Sequence, residues 1–323
     1  MAIVAGVDEA GYGPLLGPLV VSMSIFDISA QEPGGYAEDS WEVLSKCIAR
    51  CARGAQSRTV VADSKKIYHG RDDLHRLERT VLAFLGTSRP LPRSLDGFLK
   101  LTGADLDEGL RTLPWYAAGE TLLPVASCRG EILNRASLLH EGMTQKGYSF
   151  EGFDTQPTSE LKLNEDLRKF RSKAYALFRY TERLIRRLRE RYPHQHVEVI
   201  VDKEGGRNYY RPYLWAAYPE DKIRTLAEGS RLSRYRLSGA LGEMTISFRE
   251  KAEEASMPVA LASIASKYLR ELFMRLFNLY WQERVSALQP TAGYFEDAKR
   301  FLSDIAGAIE AAGISREMIV REK

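Results

Sequence analysis

The chain opens on an apolar run, Ile3 to Val7, that ends in two adjacent carboxylates, Asp8 and Glu9. Side by side after a buried strand, such groups repel each other and are costly to desolvate unless a cation neutralises them. Their oxygens suit a hard divalent ion, Mg2+ or Mn2+. A glycine-rich connection follows, Gly11-Tyr12-Gly13-Pro14 with Gly17 beyond it. Glycines at these spacings raise a dinucleotide-binding reading. Against it, the carboxylates just before Gly11 would repel a pyrophosphate, and no Gly-Lys-Ser/Thr follows to make a phosphate loop. A third carboxylate, Asp202, closes the apolar run HVEVIVD and so also falls at a strand end.

The elements that must position these groups follow from apolar periodicity. Ile3 to Asp8 and Leu19 to Phe26 read as paired strands, and Val197 to Val201 as a buried strand. Residues 31–58 read as a surface excursion with a helix, Val60 to Asp63 as a short element, and Asp72 to Leu85 as a helix. Lys162 to Arg191 reads as a single long helix, with Leu163, Leu167, Phe170, Ala174, Leu177, Leu184 and Leu188 recurring at helical spacing. Arg168, Arg171, Arg179, Arg186 and Arg189 then fall on its other faces, either solvated or turned towards phosphates. The segment 86–124 has no readable period and is expected to be an insertion, as is the tyrosine- and arginine-rich stretch 203–250. Within the latter, Tyr209, Tyr213 and Trp215 would pin an insertion onto the domain or stack against a nucleic-acid strand. A helix runs from Ala262 to Trp281. Helix-then-strand grammar of this kind belongs to a mixed α/β sheet.

With 323 residues, 44% of them hydrophobic, the chain can bury a full core without disulfides or structural metal. Cys47, Cys51 and Cys128 fit no even disulfide framework, and neither Cys47/Cys51 nor His194/His196 completes a zinc ligand set. A net charge of +3 is too small to announce nucleic acid by itself. The Asp8-Glu9 pair interrupts what a secretory signal would need, and no stretch approaches the ~20 apolar residues of a membrane span. A cytoplasmic protein that does not engage membranes is expected.

The stretch VDEAGYGPLLGPLVV resembles the signature of the ribonuclease HII family, Asp-Glu-Ala-Gly-Arg-Gly-Pro followed by Gly-Pro and a valine-rich strand. Further fragments fall in that family's order. These are Asp63-Ser64-Lys65-Lys66, Asp202 in VIVD, Ala262-Ser263-Ile264-Ala265-Ser266-Lys267, and Gly293-Tyr294-Phe295-Glu296-Asp297. The resemblance implies an α/β, ribonuclease H-like mixed sheet flanked by helices, with insertions and a helical C-terminal part. It implies a catalytic domain over residues 1–272 and a C-terminal helical extension over 273–323 that carries the Gly-Tyr motif. It further implies a monomeric endonuclease that uses two Mg2+ or Mn2+ ions on the RNA strand of RNA–DNA hybrids or on ribonucleotides embedded in duplex DNA.

Carried over residue by residue, Asp8, Glu9 and Asp202 would be catalytic metal ligands. Glu253 would be the fourth, with Glu254 as the alternative, although both also suit a helix start. Gly11, Tyr12, Gly13 and Tyr294 would sense a 2′-hydroxyl, the group that separates RNA from DNA. Lys65, Lys66 and Lys267 would contact phosphates, or else are ordinary surface lysines. This sequence departs from the pattern at Tyr12, where the family has arginine, at Lys203, where it has glycine, and in the length between Asp202 and Glu253. These departures bear on substrate preference.

Overall fold

The computed structural model describes residues 2–30, 40–68, 73–117, 121–203 and 206–322. Chain order begins β1 Ala2–Ala10, β2 Leu19–Asp27, α1 Ser40–Val43, β3 Ile48–Ala49, β4 Thr59–Val60, α2 Ser64–Ile67, α3 Leu74–Leu85, α4 Leu95–Leu101, α5 Glu108–Thr112, α6 Pro114–Ala117 and α7 Arg129–Thr144. It continues β5 Ser149–Thr158, α8 Glu160–Phe170, α9 Lys173–Arg191, β6 His196–Asp202, α10 Arg211–Ala217, β7 Lys222–Ala227, β8 Leu232–Gly239 and β9 Gly242–Arg249. The last helices are α11 Ala252–Ala255, α12 Met257–Gln282, α13 Phe295–Asp304 and α14 Ala306–Ala311.

The expected α/β architecture, a mixed sheet flanked by helices, is what the chain adopts. Its seven-stranded sheet has the order β5-β2-β1-β6-β9-β8-β7. The central strands β1, β6 and β9 run parallel, and the strands on both sides run antiparallel to their neighbours. Alternation along each strand divides the core in two. Ile3, Ala5 and Val7 of β1, with Val197, Val199 and Val201 of β6, face α9 and α10. Ala2 and Val4 join the opposite core, built around α3, α7 and α12. The same parity sends Gly6, Asp8 and Asp202 to the α12 side. At Gly6 the contact is so close that a Cβ would lie 2.2 Å from the Pro258 carbonyl carbon, so only glycine lets the N-terminal end of α12 cross β1 here.

Several expectations need correction. The long basic helix is two helices: Arg171 takes a left-handed backbone (φ 53°) that ends α8, and the Ser172 hydroxyl caps α9 by accepting from the Tyr175 amide. Four of the five arginines singled out on it are engaged in ion pairs. Arg168 pairs with Glu317 and Glu322, Arg179 and Arg186 with Glu182, and buried Arg189 with Asp221.

The 203–250 segment is no excursion, because β9 is the parallel neighbour of β6 and β8 and β7 extend the sheet beyond it. Its aromatic anchor is buried Tyr210, stacked on Phe248 at 3.6 Å, with Tyr213 against Tyr175 and Phe178; Tyr209 and Trp215 stay exposed. Residues 86–117 hold α4 to α6, which pack Phe98 on Tyr268 and Trp115 on Phe277 and Trp281 of α12. Helix α12 itself passes unbroken through positions 272 and 273. The expected helix start at Asp72, the first part of the 31–58 excursion (31–39), and residues 118–120 and 204–205 of the two expected insertions lie outside the described residues. Among the described residues no helix is long and apolar enough to cross a membrane.

Candidate active site

Asp8 and Asp202 meet because β1 and β6 run parallel and in register. Val7 pairs with Val201, so the next residue of each strand is a carboxylate on the same face of the sheet. Beyond β9 the chain turns through Lys251, in left-handed backbone at φ 52°, and enters α11, whose first amide, that of Ala252, donates to Asp202 Oδ1 at 2.7 Å. Glu253 follows on the same short helix. Asp8, Glu9, Asp202 and Glu253 all line one cavity of about 710 Å³.

The electrostatics are those of like charges forced together. Burial, then the Glu9 charge, holds the Asp8 carboxyl well above the usual carboxylate range, opposed by hydrogen bonds from Ser263 and from the Glu9 amide at 2.8 Å. Burial, the Asp8 charge and Glu253 push Asp202 up to about 8, against the single amide bond from Ala252. Glu253 Oε2 is buried without a hydrogen-bond partner. Lys267, on the same cavity wall, is engaged by Glu271 at 2.8 Å and lies over the Tyr68 ring. A buried set of carboxylate oxygens, one of them orphaned, fits a hard divalent cation in its donor chemistry. Among the described residues, however, no group of three or more His, Cys, Asp or Glu side chains is already arranged to hold a metal ion.

Most of the other candidates share the cavity: Gly11, Tyr12, Gly13, Lys65, Lys267 and Tyr294 line it. Lys66 and Glu254 do not. They pair with each other at 2.9 Å on the exposed side of α2, which separates Glu254 from the cavity that Glu253 faces. Tyr12 lies under the Lys173 ammonium, 4.9 Å from the ring centroid, so a positive charge still stands beside the turn. Lys203 ties down its own loop through Asn208, Gly229 and Ser230.

The residues that sequence reasoning missed are those that hold the glycine turn. Gly11 has φ +91°, and a Cβ there would come within 2.7 Å of the Pro18 carbonyl oxygen and of Arg270 Nε. Buried Arg321 donates to the Gly11 and Pro14 carbonyls, and buried Arg270 to those of Leu16 and Ala292. Buried Glu160 accepts from the Gly17 amide at 2.9 Å and from the Tyr116 hydroxyl at 2.8 Å. The Gly293 carbonyl accepts from the amides of Leu15 (2.8 Å) and Leu16 (3.2 Å), which docks the Gly293-Tyr294 segment on the same turn. Ser266 completes the frame by donating to the Asp8 carbonyl at 2.9 Å.

No family model matches the chain. Among curated proteins, ribonuclease HII from Xylella fastidiosa strains M12 and Temecula1 is 38% identical over 86 residues, which is 25% of this chain and 35% of each relative. Over that segment the chain is ribonuclease HII-like. The match spans about a third of the length of those relatives. Solved structures extend the comparison over the whole chain at low similarity. The ribonuclease HII of Archaeoglobus fulgidus, solved in a complex with PCNA, has 16% identity and a TM-score of 0.42 over 99% of this chain and 94% of its own. The ribonuclease H2 of Pyrococcus horikoshii OT3 has 14% identity and a TM-score of 0.42 over 98% and 92%.

Proposed function

We propose that this chain is a metal-dependent endonuclease that hydrolyses the RNA strand of RNA–DNA hybrids, or cuts at ribonucleotides embedded in duplex DNA. The observation that carries this reading is the convergence of Asp8, Glu9, Asp202 and Glu253 from two strand ends and a short helix on one cavity, beside a glycine turn and an exposed tyrosine. The partial likeness to ribonuclease HII supports it.

The four carboxylates would hold two Mg2+ or Mn2+ ions, which when bound would supply Lewis-acid polarisation and charge neutralisation for in-line displacement at a phosphodiester. The chain's own groups do the rest. The Ala252 amide orients Asp202, and the Glu9 amide orients Asp8. Lys65 would offer positive charge to backbone phosphates along the cavity wall, with Lys267, held by Glu271, beside it. Gly11, whose carbonyl is held by Arg321, lines the cavity with Tyr12, Gly13 and Tyr294, and these are the groups that would sense a 2′-hydroxyl.

The test is incubation of the purified protein with labelled duplexes carrying an RNA run, a single ribonucleotide, or DNA only, in Mg2+, Mn2+ or EDTA. Metal-dependent cuts are expected in at least one ribonucleotide-bearing duplex and in no all-DNA duplex, leaving 3′-hydroxyl ends. Intact duplexes under every metal, with binding retained, would show that the chain binds nucleic acid without cutting it.

A further inference from the structure

A second cavity, of about 370 Å³, lies on the other side of α2 from the carboxylates, among β3, β4, α3 and α7. Among the described residues its lining carries six cations, Arg50, Arg58, Lys66, Arg76, Arg79 and Arg135, and no carboxylate. Acids that are not among the lining residues pair with four of them, Asp73 with Arg76, Glu131 with Arg79 and Arg135, and Glu254 with Lys66, and hold these side chains in place. Arg58 and Arg135 are further fixed by backbone carbonyls: Arg58 donates to Ser45 and Gly54, Arg135 to Ser57 and Arg58. The cationic wall is therefore pre-organised. In the same wall the Thr59 hydroxyl is buried, at 2% exposure, with no hydrogen-bond partner. A buried orphan hydroxyl carries a desolvation cost that a ligand atom would remove.

We propose that this cavity is a binding site for a small phosphate-bearing molecule of mononucleotide size, separate from the carboxylate cavity. A dianion with several acceptor oxygens matches a set of arginine forks plus one hydroxyl donor. Apolar side chains, Ala55, Val60, Ala62 and Ile67, make up part of the lining and offer a surface for the uncharged body of such a ligand. The volume falls within the ~300–1,000 Å³ of small-molecule sites. A continuous nucleic-acid backbone would instead call for an open basic track without an apolar floor. This site does not depend on the activity assigned to the carboxylates.

The test is titration calorimetry on the full chain in EDTA, with adenosine 5′-monophosphate, adenosine and inorganic phosphate as probes. The nucleotide is expected to bind one per chain, at least tenfold more tightly than phosphate or adenosine. Thr59→Val and Arg76→Gln should each weaken it about tenfold and leave the ligand-free melting temperature unchanged. Cys51, an exposed free thiol in the lining, reports occupancy: in a Cys128→Ser background its alkylation should slow when the nucleotide is present. Absence of nucleotide binding, binding indifferent to both substitutions, or displacement of the nucleotide by an RNA–DNA hybrid would each overturn the proposal. Because no metal is present, none of these outcomes depends on whether the carboxylate site cleaves anything.

Discussion

Two groups of buried charge sit on opposite faces of one sheet, and they are built on opposite rules. On the α9 face, Arg189 is closed onto Asp221 and the Gly242 carbonyl, and Glu182 receives Arg179 and Arg186, so each charge has its complement in the protein. On the α12 face, Asp8, Asp202 and Glu253 are gathered at one cavity, and their like charges raise the pKa of Asp8 and Asp202. Paired buried charge is structural, whereas like charge gathered at strand ends raises its own pKa and costs stability unless something from outside neutralises it.

The largest effect should come from the gathered carboxylates. Asp8→Asn removes a charge that would stabilise a phosphodiester transition state through bound metal. Cleavage is expected to fall on the order of a thousandfold or more, since several kcal/mol are at stake. Hybrid binding, measured by fluorescence anisotropy, should persist, and full retained activity would remove Asp8 from the site. The paired group should respond in the opposite way. Arg189→Met leaves Asp221 buried without its partner and should cost about 3–5 kcal/mol of stability, read by urea denaturation, with no rescue by added metal.

The comparison sharpens with pH. Asp202 has a folded pKa raised from the ordinary carboxylate value to about 8, so the native state binds its proton more tightly than the unfolded chain does. That stabilising contribution is complete below the unfolded pKa and is lost as pH rises towards 8. In EDTA the melting temperature should therefore fall across that window, and Asp202→Asn should flatten the fall. A profile that is unchanged by the substitution would mean that Asp202 is already compensated. The smallest effect belongs to Glu254, which faces away from the cavity that its neighbour Glu253 lines. Glu253→Gln should abolish most cleavage, while Glu254→Gln, whose partner is Lys66 on the exposed surface, should leave cleavage and melting temperature unchanged.

What could be read in advance is local in character. Strands β1, β2 and β6 are apolar runs bounded by carboxylates or glycines, and α12 is a long apolar period, so the carrying frame of Asp8 and Asp202 was legible from the residues themselves. The candidate for a fourth carboxylate lay between two adjacent positions in sequence, of which Glu253 lines the cavity and Glu254 does not. Strands β8 and β9 were missed because their buried positions include Ser233, Thr245 and Ser247, and because arginines at 234 and 236 alternate with the buried residues. That polarity reads as loop until the ladder to β6 is seen. The break between α8 and α9 rests on one left-handed arginine, which no periodicity reveals. Arg270 and Arg321 look like surface residues in sequence. They are buried because the C-terminal tail docks on the glycine turn, where the Arg321 amide donates to the Leu15 carbonyl at 2.9 Å, a contact between opposite ends of the chain.

The central claim, that the carboxylates gathered at one cavity form a divalent-cation site, is tested most directly by Mn2+ titration calorimetry on the wild-type protein and on Asp202→Asn. Two Mn2+ ions per chain, with a higher melting temperature on binding and loss of at least one ion in the variant, is the expected result. Equal Mn2+ binding by both proteins, or none by the wild type, would contradict the account.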